Sequence, residues 1–397
     1  MVTVREASAI IFNHLFKPKV MAVNVLASTG KVLAEPVLAD RDFPPFNRVS
    51  MDGIAIQYEE WIKGRRTFLI ESTQAAGEVQ KKLSDASHCI EVMTGAILPS
   101  GCDAVIRYED VEIKGTEATI HTETIMPWQS IHKQSMDARK NDVLLEPGVI
   151  ISPAEVALLA SVGKSNVAVY AFPKAAIIST GDELVEIDTI PKPHQIRSSN
   201  SYALQSGMMD MGWDAVCFHL EDEKKAMEKA LKDIVQEYDV IILSGGVSKG
   251  KFDFVPQVLE SIGIHQLFHQ VSQRPGKPFW FGKSQSGKVA FALPGNPVST
   301  FMCFYKYVKP WALKSLGIEP ENSSAILGTD FSFPPKLTYF LQVSIKNEDG
   351  RMVAYPDAGG GSGDFANLKN VSGFLELPLE KNDFKAGEVF PYISFRN

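Results

Sequence analysis

Apolar and polar positions change their period several times along the chain, and each change marks a candidate boundary. The opening "MVTVREASAIIFNHLF" sets apolar residues at helical intervals behind Thr3 and Glu6, which stand at capping-box spacing, and so predicts an amphipathic helix. "VMAVNVLASTGKVLAEPVLAD" then reads as extended and leads into the proline-bearing "DFPPFN". Over 46–143, short runs rich in β-branched and aromatic residues alternate with turn residues; "RTFLIEST", "AVIRYEDVEI" and "ATIHTETI" predict a small all-β domain. "ISPAEVALLASVGKSNVAVY" predicts a helix that opens at Ser152-Pro153 and closes near Gly163.

Beyond residue 174 the runs become continuously apolar: "KAAIIST", "DAVCFHL" and "DVIILSGG" read as strands separated by helical stretches. In "DEKKAMEKALKDIVQEY", Met227, Ala230, Leu231, Ile234 and Val235 share one helical face, with charges opposite. Strands alternating with helices imply a mostly parallel sheet covered on both sides, whose ligands sit beyond the carboxyl ends of its strands. The pattern changes once more after "PVSTFMCFYKYVKPWALKSLG". "LTYFLQVSIKNEDGRMVAYP" predicts a hairpin turning at Asp349-Gly350, and "GFLELPL" and "GEVFPYISF" supply further strands of a C-terminal β domain.

Composition bounds what such a chain does. With 397 residues it is long for one core, and two to four domains are expected. A net charge of -7, from 40 basic against 47 acidic residues, gives no overall attraction to nucleic acid or to anionic lipid, so any phosphate site must be local. No apolar run reaches the roughly 18 residues that a membrane span needs, and no signal peptide is read, which leaves the cytoplasm as the expected location. Cys89, Cys102, Cys217 and Cys303 lie far apart without a Cys-x-x-Cys pair and are expected as buried small hydrophobes. The histidines show no ligand spacing; His132, His194, His219, His265 and His269 read as structural or exposed.

Candidate chemistry lies in four loops, each expected at a strand end of this same sheet. "SGGVSKGKFDF" satisfies the spacing G-x-x-x-x-G-K of a nucleotide-binding loop, but Phe252 stands where a magnesium-binding hydroxyl is required, so nucleotide hydrolysis is not supported. What remains is a run of small residues, Ser244, Gly245, Gly246 and Ser248, whose backbone N–H groups can converge on an anion; Asp253 follows as a carboxylate or as a helix cap. "IISTGDEL" ends a strand with Ser179, Thr180 and Gly181, then presents Asp182 and Glu183, which a helix cap would also account for. "QRPGKPFWFG" fixes Arg274 and Lys277 about a rigid turn, and "FALPGNPVST" sets Pro294, Gly295, Asn296 and Pro297 between a strand and a helix with free N-terminal amides. Gathered on one sheet edge, amides, two cations and several carboxylates would hold a phosphorylated ligand with magnesium between like charges.

The ordered set "RVSMDGIA", "VMTGAILPSGCDAVIRYED", "ISTGDELVE", "HQIRSSNSYAL", "IILSGGVSKGKFDF", "RPGKPFWFG" and "LPGNPVSTF" resembles the MoeA family of molybdopterin molybdenumtransferases, related to the gephyrin and plant Cnx1 E domains. The resemblance implies a multidomain α/β plus all-β fold, divided as follows. Residues 1–45 with 144–170 form an elongated domain built from separated segments, its N-terminal helix a candidate to pack on the sheet domain. Residues 46–143 form an inserted β domain, 171–320 a MogA-like molybdopterin-binding α/β/α sheet domain, and 321–397 a C-terminal β-barrel. The implied activity is magnesium-dependent insertion of molybdate into adenylylated molybdopterin with release of AMP, in a homodimer whose cleft is completed by the partner's β domain. The further partners implied are a MogA-like adenylyltransferase and molybdoenzyme apoproteins. A carrier or scaffold of the same family, weakly active or inactive, is the alternative; an adenylyltransferase of the MogA type leaves residues 1–168 and the barrel without a role.

Carried over by this resemblance, Asp52, Thr94, Asp137, Glu183, Asp253 and Lys277 are the expected catalytic residues, with Glu183 and Asp253 placing Mg2+. Arg274, Lys277, Pro278 and Ser362 are the expected molybdate pocket. The chain departs from the family at "HKQSMDA", where His132, Ser135 and Met136 replace Arg, Gly and Glu while Asp137 is kept. Arg274 stands in for a lysine, and Gln342 for a barrel arginine.

Overall fold

A computed structural model describes residues 1–247 and 254–396. Its central element is a six-stranded sheet in the order Ala215–Leu220, Ala175–Thr180, Val240–Ser244, Val289–Leu293, Trp280–Ser284, Ile264–His269. The first four strands are parallel; Trp280–Ser284 runs antiparallel to them, and Ile264–His269, antiparallel to that strand, returns to their direction. The three strands Ala175–Thr180, Val240–Ser244 and Val289–Leu293 are buried at every residue, which is why their sequences are continuously apolar and not alternating. One face carries Ile177, Ile242 and Phe291 into a core with Trp213, Tyr307 and Trp311. The opposite face packs Ile178, Ile241 and Leu243 against Met227, Leu231 and Ile234 of the helix Lys224–Glu237.

Capping begins the chain's first helix, Val4–Phe12: Thr3 and Glu6 satisfy each other's backbone N–H groups, and the buried side Val4, Ala7, Ile11 joins the core that holds Trp311. The segments 19–38 and 143–171 meet in small antiparallel pairings, Lys19–Asn24 with Asn166–Ala171 and Val37–Leu38 with Val143–Leu145. Between them lies a six-stranded sheet, in the order Ala104–Arg107, Gly53–Ile56, His88–Val92, Thr67–Gln74, Glu117–Ile120, Val111–Lys114, with one small core on each side. Gly53 is required there, since a Cβ would sit 1.9 Å from the Ile106 carbonyl oxygen. The C-terminal strands close a ring: Thr338–Glu348, Arg351–Pro356, Ser324–Leu327, Val389–Ser394, Gly373–Leu377 and back to Thr338–Glu348. The hairpin turns at Asp349 and Gly350, both with positive φ.

Three expectations need correction. "AVIRYEDVEI" is two strands, because the 3-10 turn Tyr108–Asp110 interrupts it where the Tyr108 N–H donates to the Asp52 carbonyl. "VMAVNVLASTGKVLAEPVLAD" is not extended throughout but winds through a 3-10 turn, Val25–Ser28, capped by Asn24. Cys217 is exposed, unlike the other three cysteines: Ala215–Leu220 is an edge strand, so "DAVCFHL" is apolar without being covered on its outer side.

Phe291 is fully buried, with Phe281 at 4.9 Å and Trp311 at 5.3 Å between ring centroids. Phe291→Ala is expected to cost about 3–5 kcal/mol, seen as a lower urea midpoint for loss of near-ultraviolet circular dichroism. Val216→Ala, on the exposed edge strand, is expected to stay within about 0.5 kcal/mol.

Candidate functional site

Parallel register ends neighbouring strands level with each other, Ser179 opposite Ser244 and Ser244 opposite Leu293, and beyond these ends lies a cleft of about 550 Å³. Ser179, Thr180, Gly181, Glu183, Ser244, Gly245, Gly246 and Pro294 to Pro297 line it. Gly245 and Gly246 have φ of 103° and 64°, and a Cβ on Gly245 would meet both the carbonyl and hydroxyl oxygens of Thr180 at 2.9 Å. The glycine turn therefore presses onto Thr180, a fit no other residue allows without displacement. Thr180 itself is 5% exposed, and its Oγ1 has no hydrogen-bond partner among the described residues. A buried hydroxyl left unsatisfied in a protein is costly, and a ligand oxygen in the cleft would satisfy it.

Other expected residues fall differently. The Ser179 hydroxyl lies 3.3 Å from both the Phe218 carbonyl and His219 Nδ1. Asp182 does not line the cleft; its Oδ1 accepts the Asp222 N–H at 3.1 Å. Neither Asp182 nor Glu183 caps a helix, because the chain continues into the strand Leu184–Val185, paired in parallel with Ile196–Arg197. Ser248 and Asp253 lie outside the described residues.

The loop carrying Arg274 and Lys277 does not follow a strand of the parallel set, as its sequence suggested. It precedes Trp280–Ser284, which runs antiparallel with Trp280 opposite Ala292, so its beginning reaches the same rim at which the parallel strands end. On its other side Gln273 and Arg274 pair with Thr338 and Tyr339 of the barrel. Gln273 Nε2 donates to the Gly276 carbonyl at 3.0 Å, and a Cβ on Gly276 would stand 2.8 Å from Cys303 Sγ, so the turn is held from inside. The result is a second pocket of about 290 Å³ lined by Arg274, Lys277, Pro278, Gln342 and Ser362, sharing Pro278, Pro294 and Asn296 with the first. Asn296 Nδ2 donates to Ser362 Oγ at 2.9 Å, and the Val298 N–H to the Ser362 carbonyl at 3.2 Å. Gln342 Nε2 donates to the Ala358 carbonyl at 3.2 Å and so steadies the loop that carries Ser362. Arg274 stands 5.8 Å over the Phe333 ring.

Asp52, Thr94 and Asp137 line neither pocket. Asp52 Oδ1 accepts from the Thr94 amide at 2.6 Å and from the Thr94 hydroxyl at 2.8 Å, and these bonds hold its carboxyl below the usual range. Asp137 Oδ1 lies 2.8 Å from His132 Nε2, whose other ring nitrogen is 3.3 Å from Arg48. Ser135 adopts φ 62°, and Met136 is exposed.

Sequence reasoning singled out neither Asn200 nor Arg197, and both line the larger cleft. The available signal was "RSSN" at the opening of the helix Asn200–Met209, a spelling that ordinary capping also accounts for. Among the described residues no group of three or more His, Cys, Asp or Glu could hold a metal ion alone. A magnesium ion shared between Glu183 and ligand phosphates is compatible with that, since Mg2+ is commonly held by one or two carboxylates plus phosphate oxygens.

Three family models match in succession: "MoeA N-terminal region (domain I and II)" over residues 2–163, "Probable molybdopterin binding domain" over 176–314, and "MoeA C-terminal region (domain IV)" over 324–395. A molybdopterin molybdenumtransferase from Synechocystis sp. is 40% identical over 399 residues, covering 100% of both chains. One from Haemophilus influenzae is 30% identical, covering 98% of this chain and 97% of its own. Among solved structures, a molybdopterin biosynthesis moeA protein from Pyrococcus horikoshii OT3 superposes with a TM-score of 0.86 at 26% identity, over 100% of both chains.

The Asp52 geometry is testable directly. A carboxyl with a lowered folded pKa adds stability above its unfolded pKa and loses that contribution as pH falls through the folded value. Thr94→Val removes the hydroxyl bond and keeps the amide bond, so the Asp52 midpoint in a carboxyl NMR titration is expected to rise toward the ordinary carboxylate value, with acid-side stability lost at higher pH. An unmoved midpoint would contradict the assigned cause.

Proposed function

Because the chain belongs to the MoeA family, we propose that it acts in molybdenum cofactor biosynthesis as a molybdopterin molybdenumtransferase. The observation that carries this reading is the pair of pockets sharing Pro278, Pro294 and Asn296: a cleft of amides and hydroxyls beside a smaller pocket bearing Arg274 and Lys277. An adenylylated molybdopterin would lay its pyrophosphate against Gly245, Gly246 and the unsatisfied Thr180 hydroxyl. Molybdate, the second substrate, would sit near Lys277, Arg274 and Ser362, where cations and a hydroxyl suit an oxyanion. Magnesium, held by Glu183 with Asp253 as the second expected carboxylate, would neutralise the phosphate charge. Insertion of molybdate at the dithiolene then accompanies release of AMP.

Homodimerisation belongs to the same reading. That Asp52, Thr94 and Asp137 line neither pocket supports a cleft completed by the β domain of a second copy. No helix among the described residues is long and apolar enough to cross a membrane, which is compatible with the cytoplasmic location proposed. A MogA-like adenylyltransferase would supply the substrate, and molybdoenzyme apoproteins would receive the product. One observation favours the carrier alternative: the neutral Gln342 is bonded to a backbone carbonyl, so the smaller pocket has one cation fewer than the family pattern.

Purified protein given adenylylated molybdopterin, magnesium and molybdate is expected to release AMP only when molybdate is present. Tight binding without release would favour the carrier. Lys277→Ala removes a charge-assisted contact, so the KM for molybdate is expected to rise about tenfold to a hundredfold with the fold intact.

A further inference from the structure

Asn200, the first residue of the helix Asn200–Met209, reaches across two loops of the larger cleft. Its Nδ2 donates to Ser244 Oγ at 2.8 Å and to the Gly295 carbonyl at 2.7 Å. A backbone carbonyl only accepts hydrogen bonds, so the amide nitrogen must face Gly295, and the orientation of the carboxamide is fixed by the protein. Oδ1 is thereby turned away from these two loops. It has no hydrogen-bond partner among the described residues, although the side chain is half-buried in the cleft wall.

Two oxygens without a protein partner among the described residues thus line one cleft, the Thr180 hydroxyl buried and Asn200 Oδ1 open to solvent, and they ask for different things. The Thr180 hydroxyl can donate to a phosphate oxygen. A fixed carboxamide oxygen cannot; facing a phosphate it would be repelled, and it is satisfied only by an O–H or N–H donor. We propose that Asn200 is a specificity-determining residue, its Oδ1 accepting a hydrogen bond from a hydroxyl or ring-amine donor that the ligand carries beside its phosphate. The cleft then separates an organic phosphate from inorganic phosphate or pyrophosphate by a contact that charge alone does not supply. A site built to pair a ligand donor discriminates against an analogue that lacks one, because an acceptor covered by that analogue gives up its water and gains no partner. This rests on the reading of the cleft as a phosphate site.

Both halves of an adenylylated pterin carry such donors, and the test separates them. Isothermal titration with magnesium is made for AMP, for molybdopterin and for pyrophosphate, on the full-length protein and on Asn200→Ala. Loss of the loop clasp alone would weaken all three probes by the same factor. The expected result is that one organic phosphate weakens about five- to tenfold more than pyrophosphate, the equivalent of one neutral hydrogen bond. AMP in that role places the donor on the nucleoside half, molybdopterin on the pterin half. Equal losses overturn the proposal and leave the phosphate cleft standing; failure of the unaltered protein to bind any of the three overturns both. If Asn200→Ala does not fold, the carboxamide carbon resonance of isotope-labelled Asn200 decides in the unaltered protein. It should move with an organic phosphate and stay with pyrophosphate, and movement with neither organic phosphate sinks the proposal.

Discussion

Everything in the candidate site depends on one geometric constraint, the parallel register that ends the strands Ala175–Thr180, Val240–Ser244 and Val289–Leu293 along a common line. Strands buried on both faces have no solvent side to spare, so polar groups can gather only where the strands stop. At that line Thr180, the Gly245–Gly246 turn and the Pro294–Asn296 turn meet within one cleft. The close approach of Gly245 to Thr180 is the tightest expression of the constraint, and beside it the buried Thr180 hydroxyl has no hydrogen-bond partner among the described residues. Such an orphan is tolerated where a ligand supplies the missing bond.

The barrel is tied to this line by two separate attachments. Gln273 and Arg274 extend its sheet by pairing with Thr338 and Tyr339, and the loop around Ser362 seats its carbonyl on the Val298 N–H while Asn296 holds the Ser362 hydroxyl. The N-terminus of the helix Pro297–Cys303 is therefore shared between a cleft and a loop from another domain. Pro278, Pro294 and Asn296 belong to both pockets, so a movement of either wall is felt by the other.

Much of the sheet domain was legible in the sequence, because a strand covered on both faces must be apolar at every position and must end in small polar residues where it meets a cleft. The hairpin at Asp349 and Gly350 was legible for a similar reason, two positive-φ residues between alternating strands. Where the sequence misleads, strand direction and neighbours are what it lacks. "DAVCFHL" carries the apolar signature of a covered strand, yet sheet order puts it at an edge and leaves Cys217 exposed. The loop of Arg274 and Lys277 has the spelling of a strand end, and only the antiparallel direction of Trp280–Ser284 shows that a strand start reaches the same rim. Asn200 gives no distinct signal because asparagine at a helix start usually serves the helix, whereas here its amide bridges two distant turns.

Charge in the smaller pocket is set as much by what its residues already touch as by their formal sign. Arg274 faces the Phe333 ring, an attraction that draws its planar cation toward the barrel. Gln342 spends its amide on the Ala358 carbonyl and acts on the pocket through the Ser362 loop. Lys277, exposed and making no ion pair among the described residues, is the cation with freedom to reach an oxyanion. A glutamine in place of a barrel arginine thus exchanges a charge for a tether. The pocket keeps its shape through hydrogen bonds, and its attraction for an anion rests on a lysine whose flexible stem must order on binding, an entropic cost that a preorganised arginine fork bears less of.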